Sequence, residues 1–250
     1  MRFNICVAIP IKSGDFKQNE ILINTVLKEN PDFIELRFDY IDNLQYINEN
    51  FVKKLLNLIQ PNIPAIFTFR DYSEGGQIKI SNEERLKILK ILVQAQPEYF
   101  DIEMNSAQFT LEELIFLAIQ NKVNLIFSHH NFKKTPTYEE GFNIIDSFMN
   151  KLISKFIVDS KIVRQSIYKV IFTALNFEDN LISLDLCKTF SKEDHKIICF
   201  CMGESGILSR LLCMKAGSFL TYASLDDKTA PGQININKMK KVYELLFDHP

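Results

Sequence analysis

The chain has no apolar run approaching the roughly 18 residues that a transmembrane helix needs, which excludes a membrane-spanning helix. It has no excess of one charge. Twenty-nine basic against 31 acidic residues leave a net charge of −2, which argues against a nucleic acid or an anionic membrane as partner. None of the five cysteines sits in CxxC spacing. Cys199 and Cys201 alternate inside an apolar run with no histidine or carboxylate beside them, so they read as buried thiols, not as metal ligands or a disulfide. Unpaired thiols make the cytoplasm the expected compartment. The opening MRFNICVAIPIKSGDF lacks a small-residue cleavage site and reads as a first strand, not a signal peptide. No Pro/Gly/Ser-rich linker and no shift of composition divides the chain, so residues 1–250 are expected to form one domain.

What is present is an ordinary globular composition, 46% hydrophobic and 24% charged, sufficient for a sizeable core. Short β-branched runs recur at 5–11, 32–39, 64–70, 98–104, 123–130, 168–174, 196–203 and 219–225, eight in all. Between them, apolar residues fall at helical spacing: Leu55, Leu58 and Ile59; Leu86, Leu89 and Val93; Leu114, Leu117 and Ala118. Ser81 with Glu84, Thr110 with Glu113, and Thr137 with Glu140 match the capping box that starts a helix. Parallel strands joined by crossover helices leave an open doubly wound sheet or a closed barrel. Eight units in 250 residues fit an α/β fold of the single (β/α)8 TIM barrel type. The interval between His130 and the sixth strand is long, which places extra residues around Phe156 to Gln165.

In a barrel the chemistry lies at the C-terminal ends of the strands, and the charged residues fall there. Glu35, Arg37 and Asp39 alternate on the second strand. Arg70 ends the third, with Glu74 in the EGG loop after it. Asp101 and Glu103 alternate on the fourth, the fifth ends in His129-His130, Lys169 lies on the sixth, and KTAPGQ follows the eighth. Any one of these could be a solvated strand end. So many charges of both signs, on strands that otherwise read as buried, need partners or a polar ligand. A phosphate grip after the seventh strand is supported only partially by MGESG (Met202 to Gly206) and Arg210, whereas Thr229, Gly232 and Gln233 offer groups suited to a carboxylate.

These residues, taken together and in order, resemble the type I 3-dehydroquinate dehydratases of the shikimate pathway. The likeness runs through ELRFD (35–39), FTFR with EGG (67–76), DIE (101–103), SHHNFKKTP (128–136), KVIFTA (169–174), GILSR (206–210), GSFLTYASL (217–225) and APGQ (230–233). It implies a cofactor-free, metal-free dehydration of 3-dehydroquinate to 3-dehydroshikimate, on the route to chorismate and the aromatic amino acids. A lysine would form a Schiff base with the ketone and a histidine would move the protons. A protonated imine is a better electron sink than a ketone, and a histidine with an ordinary pKa near 6.5 can serve as base and then acid. The lysine must be neutral to attack, which burial or neighbouring cations would favour.

Two lysines compete for the Schiff base. Spacing from the histidine favours Lys161; the strand pattern of VIFTA favours Lys169, which is preferred. By resemblance, Lys169, His130 and Glu74 form the catalytic set, with Glu74 orienting the histidine. Arg210, Thr229 and Gln233 would hold the substrate carboxylate, and Glu35, Arg37 and Arg70 the ring hydroxyls. Asp101, Glu103 and Met202 would line the site, Met202 as an apolar wall. Thr229 stands where serine is usual, and Asn131 where aspartate usually follows the histidine. Strand alternation sends His129 and His130 to opposite faces without saying which points inward; the resemblance makes His130 the catalytic one and His129 a packing residue. A homodimer is implied by resemblance only. A phosphate-gripping Schiff-base aldolase and a non-catalytic metabolite-binding barrel are the competing readings.

Overall fold

The computed structural model describes residues 3–225 and 229–247. Lys228, the first residue of KTAPGQ, lies outside the described residues. All eight strands read from the sequence form: β1 (Ile5–Pro10), β2 (Phe33–Arg37), β3 (Ala65–Thr68), β4 (Tyr99–Glu103), β5 (Asn124–His130), β6 (Ile167–Thr173), β7 (Lys196–Met202) and β8 (Thr221–Ser224). A ninth, β9 (Ile234–Asn235), pairs with β8. With only two residues it is too short to leave an alternation pattern in the sequence.

Every ladder is parallel, and β1 through β7 lie side by side in chain order. The eighth strand does not continue outward from β7; it returns to pair with β1. An open doubly wound sheet would reverse its strand order at an internal switch point; here the last strand of the set closes on the first. The fold is the expected (β/α)8 barrel. Its closing seam is lightly bonded. Near the foot, Phe219 N–H donates to Ile197 C=O at 2.7 Å; at the mouth, Gly203 N–H donates to Pro231 C=O at 3.4 Å.

Helices α1 (Phe16–Lys28), α2 (Glu49–Ile59), α3 (Asn82–Gln94), α4 (Gln108–Gln120), α5 (Tyr138–Ser154), α6 (Ser160–Gln165), α7 (Glu178–Lys192), α8 (Ile207–Leu212) and α9 (Ile236–Phe247) surround the strands. The apolar stripe of α2 shows why they pack as they do: Phe51, Val52, Leu55, Leu56 and Ile59 are buried at three- and four-residue spacing. Ser81 and Thr137 make complete capping boxes with Glu84 and Glu140. Thr110 does not: α4 begins after Ala107, so Thr110 is already helical and buried. The extra residues before β6 form α6, which is tied to that strand by the Tyr168 hydroxyl donating to Val163 C=O at 2.8 Å. All five cysteines are free and buried, Cys199 and Cys201 as their sequence context indicated.

Candidate active site

Adjacent parallel strands put register partners side by side on the same face. The pairing of Glu103 with Ser128 and of Ser128 with Lys169 carries one row across β4, β5 and β6; His130 lies beside Ile171 in the next. These rows bring charged residues from distant stretches into one cavity at the mouth of the barrel. Its walls include Glu35, Arg37, Arg70, Glu74, His130, Lys169, Met202, Arg210, Thr229 and Gln233. Ten of the residues singled out from sequence therefore converge on a single space.

Asp101 and Glu103 are placed differently from expectation: neither is part of the cavity wall. Asp101 lies beneath it, where one carboxylate oxygen accepts from both Lys169 Nζ and Arg70 Nη2 at 2.9 Å. Its other oxygen accepts from the Ser128 hydroxyl at 2.6 Å. Burial pushes the Asp101 carboxyl up, but Arg70 and Lys169 outweigh it and hold the group far below the usual carboxylate range. Glu103 is turned behind Arg70, paired with Arg70 at 2.8 Å and with Arg85. It faces a second cavity, on the far side of Glu74.

Lys169 is only 4% exposed. Besides Asp101, its Nζ lies 3.6 Å from Glu35 and 3.1 Å from the Tyr222 hydroxyl. Because Arg70 occupies the same Asp101 oxygen, Lys169 does not hold that carboxylate alone. The competing lysine, Lys161, sits in the first turn of α6, exposed and absent from the lining of this cavity.

His130 and Glu74 form a dyad. One Glu74 oxygen contacts His130 Nδ1 at 3.0 Å and accepts the His130 backbone N–H at 2.9 Å. Burial, then repulsion from Glu103, pushes the Glu74 carboxyl up to about 8. Burial together with the Arg70 and Lys169 cations holds His130 well below the usual histidine range. Phe132 stacks on His130 with ring centroids 6.5 Å apart. Phe132 also fills the space beside Gly75, whose φ of +87° and lack of a Cβ let the loop carrying Glu74 turn under the ring.

Arg210 is 1% exposed, yet among the described residues none of its partners is a carboxylate. Nη1 and Nη2 donate to the carbonyls of Tyr222 and Pro231 at 3.4 and 3.3 Å, and Nε is buried with no hydrogen-bond partner among the described residues. The guanidinium lies 4.4 Å over the Phe200 ring, and burial pulls it down to about 10. A buried, under-paired arginine facing a cavity is arranged to receive an anion. Gln233 shapes the loop beside it: its Oε1 accepts from Thr229 N–H at 2.7 Å, and its Nε2 donates to the Thr229 hydroxyl at 3.0 Å.

Sequence reasoning passed over two participants, Tyr222 and Asn105, and cast a third differently. Tyr222 was seen only as part of a strand. Asn105 donates to the second Glu74 oxygen at 3.4 Å and contacts His129 Nδ1 at 3.1 Å. His129, with its side chain 19% exposed, is thus a polar neighbour of the dyad and not the packing residue expected. The Asn131 Oδ1 accepts from the backbone N–H groups of Lys133 and Lys134 and folds the following turn. Among the described residues no cluster of metal-ligating side chains is found.

The family model for type I 3-dehydroquinase matches residues 5–250. A 3-dehydroquinate dehydratase from Methanococcus maripaludis is 33% identical over 242 residues, covering 96% of this chain and 99% of the relative. Two solved structures superpose closely. The type I 3-dehydroquinate dehydratase from Clostridium difficile has a TM-score of 0.80 at 27% identity, with 98% of this chain and 92% of that one covered. The 3-dehydroquinate dehydratase from Geobacillus kaustophilus has a TM-score of 0.83 at 25% identity, with 100% and 93% covered.

Proposed function

Because the chain belongs to the type I 3-dehydroquinase family and is a 3-dehydroquinate dehydratase, we propose that it eliminates water through a Schiff base on Lys169, with His130 as acid and base. The observation that carries this reading is the placing of one buried lysine and one half-buried histidine on adjacent strands around the same cavity. The Clostridium difficile relative is described with covalently modified comenic acid, a precedent for covalent chemistry in that protein.

In this reading Arg210 takes the substrate carboxylate, which supplies the charged partner its guanidinium lacks among the described residues. Thr229 and Gln233 shape the rim of that subsite, and the methyl that Thr229 adds to a hydroxyl narrows it. Glu35, Arg37 and Arg70 face the ring hydroxyls, and Met202 is an apolar wall. Lys169, as the neutral amine, attacks the ketone. The resulting protonated imine draws electrons from the neighbouring C–H bond, and His130 Nε2 removes that proton. The same group then returns it to the departing hydroxyl, so the pair ends as it began. Asp101 compensates the cationic imine from below. A phosphate-gripping aldolase is disfavoured, since the cavity beside Arg210 is walled by side chains and not by a run of glycine N–H groups.

Protonation of the dyad sets the pH dependence. When Glu74 is ionised it receives the Nδ1–H of His130, which leaves Nε2 free as a base. When Glu74 is protonated its hydroxyl donates to Nδ1, and the ring proton must then reside on Nε2. With Glu74 pushed up to about 8, kcat/KM should fall as the pH is lowered through about that value, as one titration of the pair. A pH–rate profile of wild type against Glu74→Gln, which cannot ionise, tests this. Persistence of the same limb in the variant would assign the titration to another group.

The reading as a whole is tested by combining the protein with 3-dehydroquinate and borohydride. A reduced ligand mass should appear on the peptide containing Lys169. Mass on Lys161, or no adduct during turnover followed by the absorbance of the conjugated product, would reject it.

A further inference from the structure

Tyr222 is buried on β8 and forms part of the cavity wall. Its ring centroid lies 4.4 Å from Lys169 Nζ, and its hydroxyl lies 3.1 Å from the same nitrogen. Among the described residues that hydroxyl has no other hydrogen-bond partner. A lysine nitrogen donates, so the phenol oxygen accepts, and its own O–H is left to point at whatever occupies the cavity. Burial, then the Glu35 carboxylate, pushes the phenol well above its usual range, so it stays a neutral hydroxyl, able to accept and donate at once.

Resting on the Schiff-base reading, we propose that Tyr222 is a catalytic residue, the proton shuttle that turns the first adduct between Lys169 and the ketone into a carbinolamine that can lose water. When Lys169 Nζ bonds to the carbonyl carbon, nitrogen carries an excess proton and the former carbonyl oxygen carries a negative charge. The two atoms are bonded to one carbon, so a hydroxyl hydrogen-bonded to the nitrogen can reach the oxygen as well. Tyr222 Oη takes the proton from nitrogen and gives its own to the oxygen. One N–H bond breaks, one O–H bond forms, and the phenol is regenerated. A second proton, equal to the one Lys169 releases to solvent on becoming the neutral amine, reaches that hydroxyl from water at the mouth of the cavity, the C–O bond breaks, water leaves, and the nitrogen keeps its remaining proton as the iminium. Read backwards, the same shuttle serves hydrolysis of the product imine. Direct proton transfer between nitrogen and oxygen on one carbon would pass through a strained four-membered ring. A bridging hydroxyl relieves that, and properly placed proton transfer is worth about 10²-fold or more.

The test is Tyr222→Phe, which keeps the buried ring and removes only the oxygen. Rapid-quench borohydride trapping in a single turnover should show the Lys169 adduct forming about 10²-fold more slowly than in wild type, the scale of a lost proton-transfer group. With substrate deuterated at the carbon that loses its proton, the kinetic isotope effect on kcat should shrink toward unity, because imine formation becomes limiting. A role in packing alone would not move the isotope effect. Adduct formation at the wild-type rate, or an undiminished isotope effect, overturns the proposal while leaving the Schiff base in place. Failure of wild type itself to give a Lys169 adduct overturns the Schiff-base reading and this step with it.

Discussion

Replacing Lys169 with methionine is expected to lower kcat by about 10⁴-fold or more, the scale on which loss of a covalent nucleophile is felt, and to abolish the borohydride adduct. The fold should survive, because no buried charge is orphaned by the change. Asp101 keeps Arg70 and the Ser128 hydroxyl, and Glu35 keeps the Thr68 hydroxyl at 2.8 Å. Methionine also retains most of the apolar stem that lies against Tyr222. A steady-state assay beside a thermal melt checks both halves. A variant that melts normally and retains more than a hundredth of wild-type activity would remove Lys169 from the centre of the mechanism.

His130→Ala is expected to lower kcat by about 10²- to 10⁴-fold, the range for general acid–base groups, with the opposite signature in trapping. Lys169 remains able to attack, so the imine should form and then wait, and borohydride should capture more adduct at steady state than in wild type. Glu74 retains the backbone N–H of residue 130 and the Asn105 amide, so its carboxyl is not stranded. A variant with low kcat and no accumulated adduct would shift the role of His130 from proton abstraction to imine formation.

The barrel was legible because its strands are buried on both faces and punctuated by helical spacing, a pattern that survives without any knowledge of contacts. The charged strand ends were legible for the converse reason: charge on a buried strand calls for a partner. What the sequence could not convey is the direction in which a side chain leaves its row. Asp101 and Glu103 alternate like the residues of the cavity wall, yet one reaches under Lys169 and the other behind Arg70. Tyr222 was hidden because an aromatic on a strand is ordinary core, and its hydroxyl matters only through its reach to β6. Asn105 and His129 meet from the ends of neighbouring strands, β4 and β5, and no local motif records that encounter. The Thr110 box failed because a capping pattern fixes spacing but not which residue stands first.

The seam between β7 and β8 is where the cylinder is laced most loosely, with Gly203 and Gly232 pressed so close that a Cβ on Gly232 would lie 2.5 Å from Gly203 C=O. Arg210 follows β7 and Thr229 and Gln233 follow β8, so a carboxylate held among them would span that gap like a clasp. The molecule being transformed would thereby also fasten the vessel, and an empty barrel would be the slacker of the two.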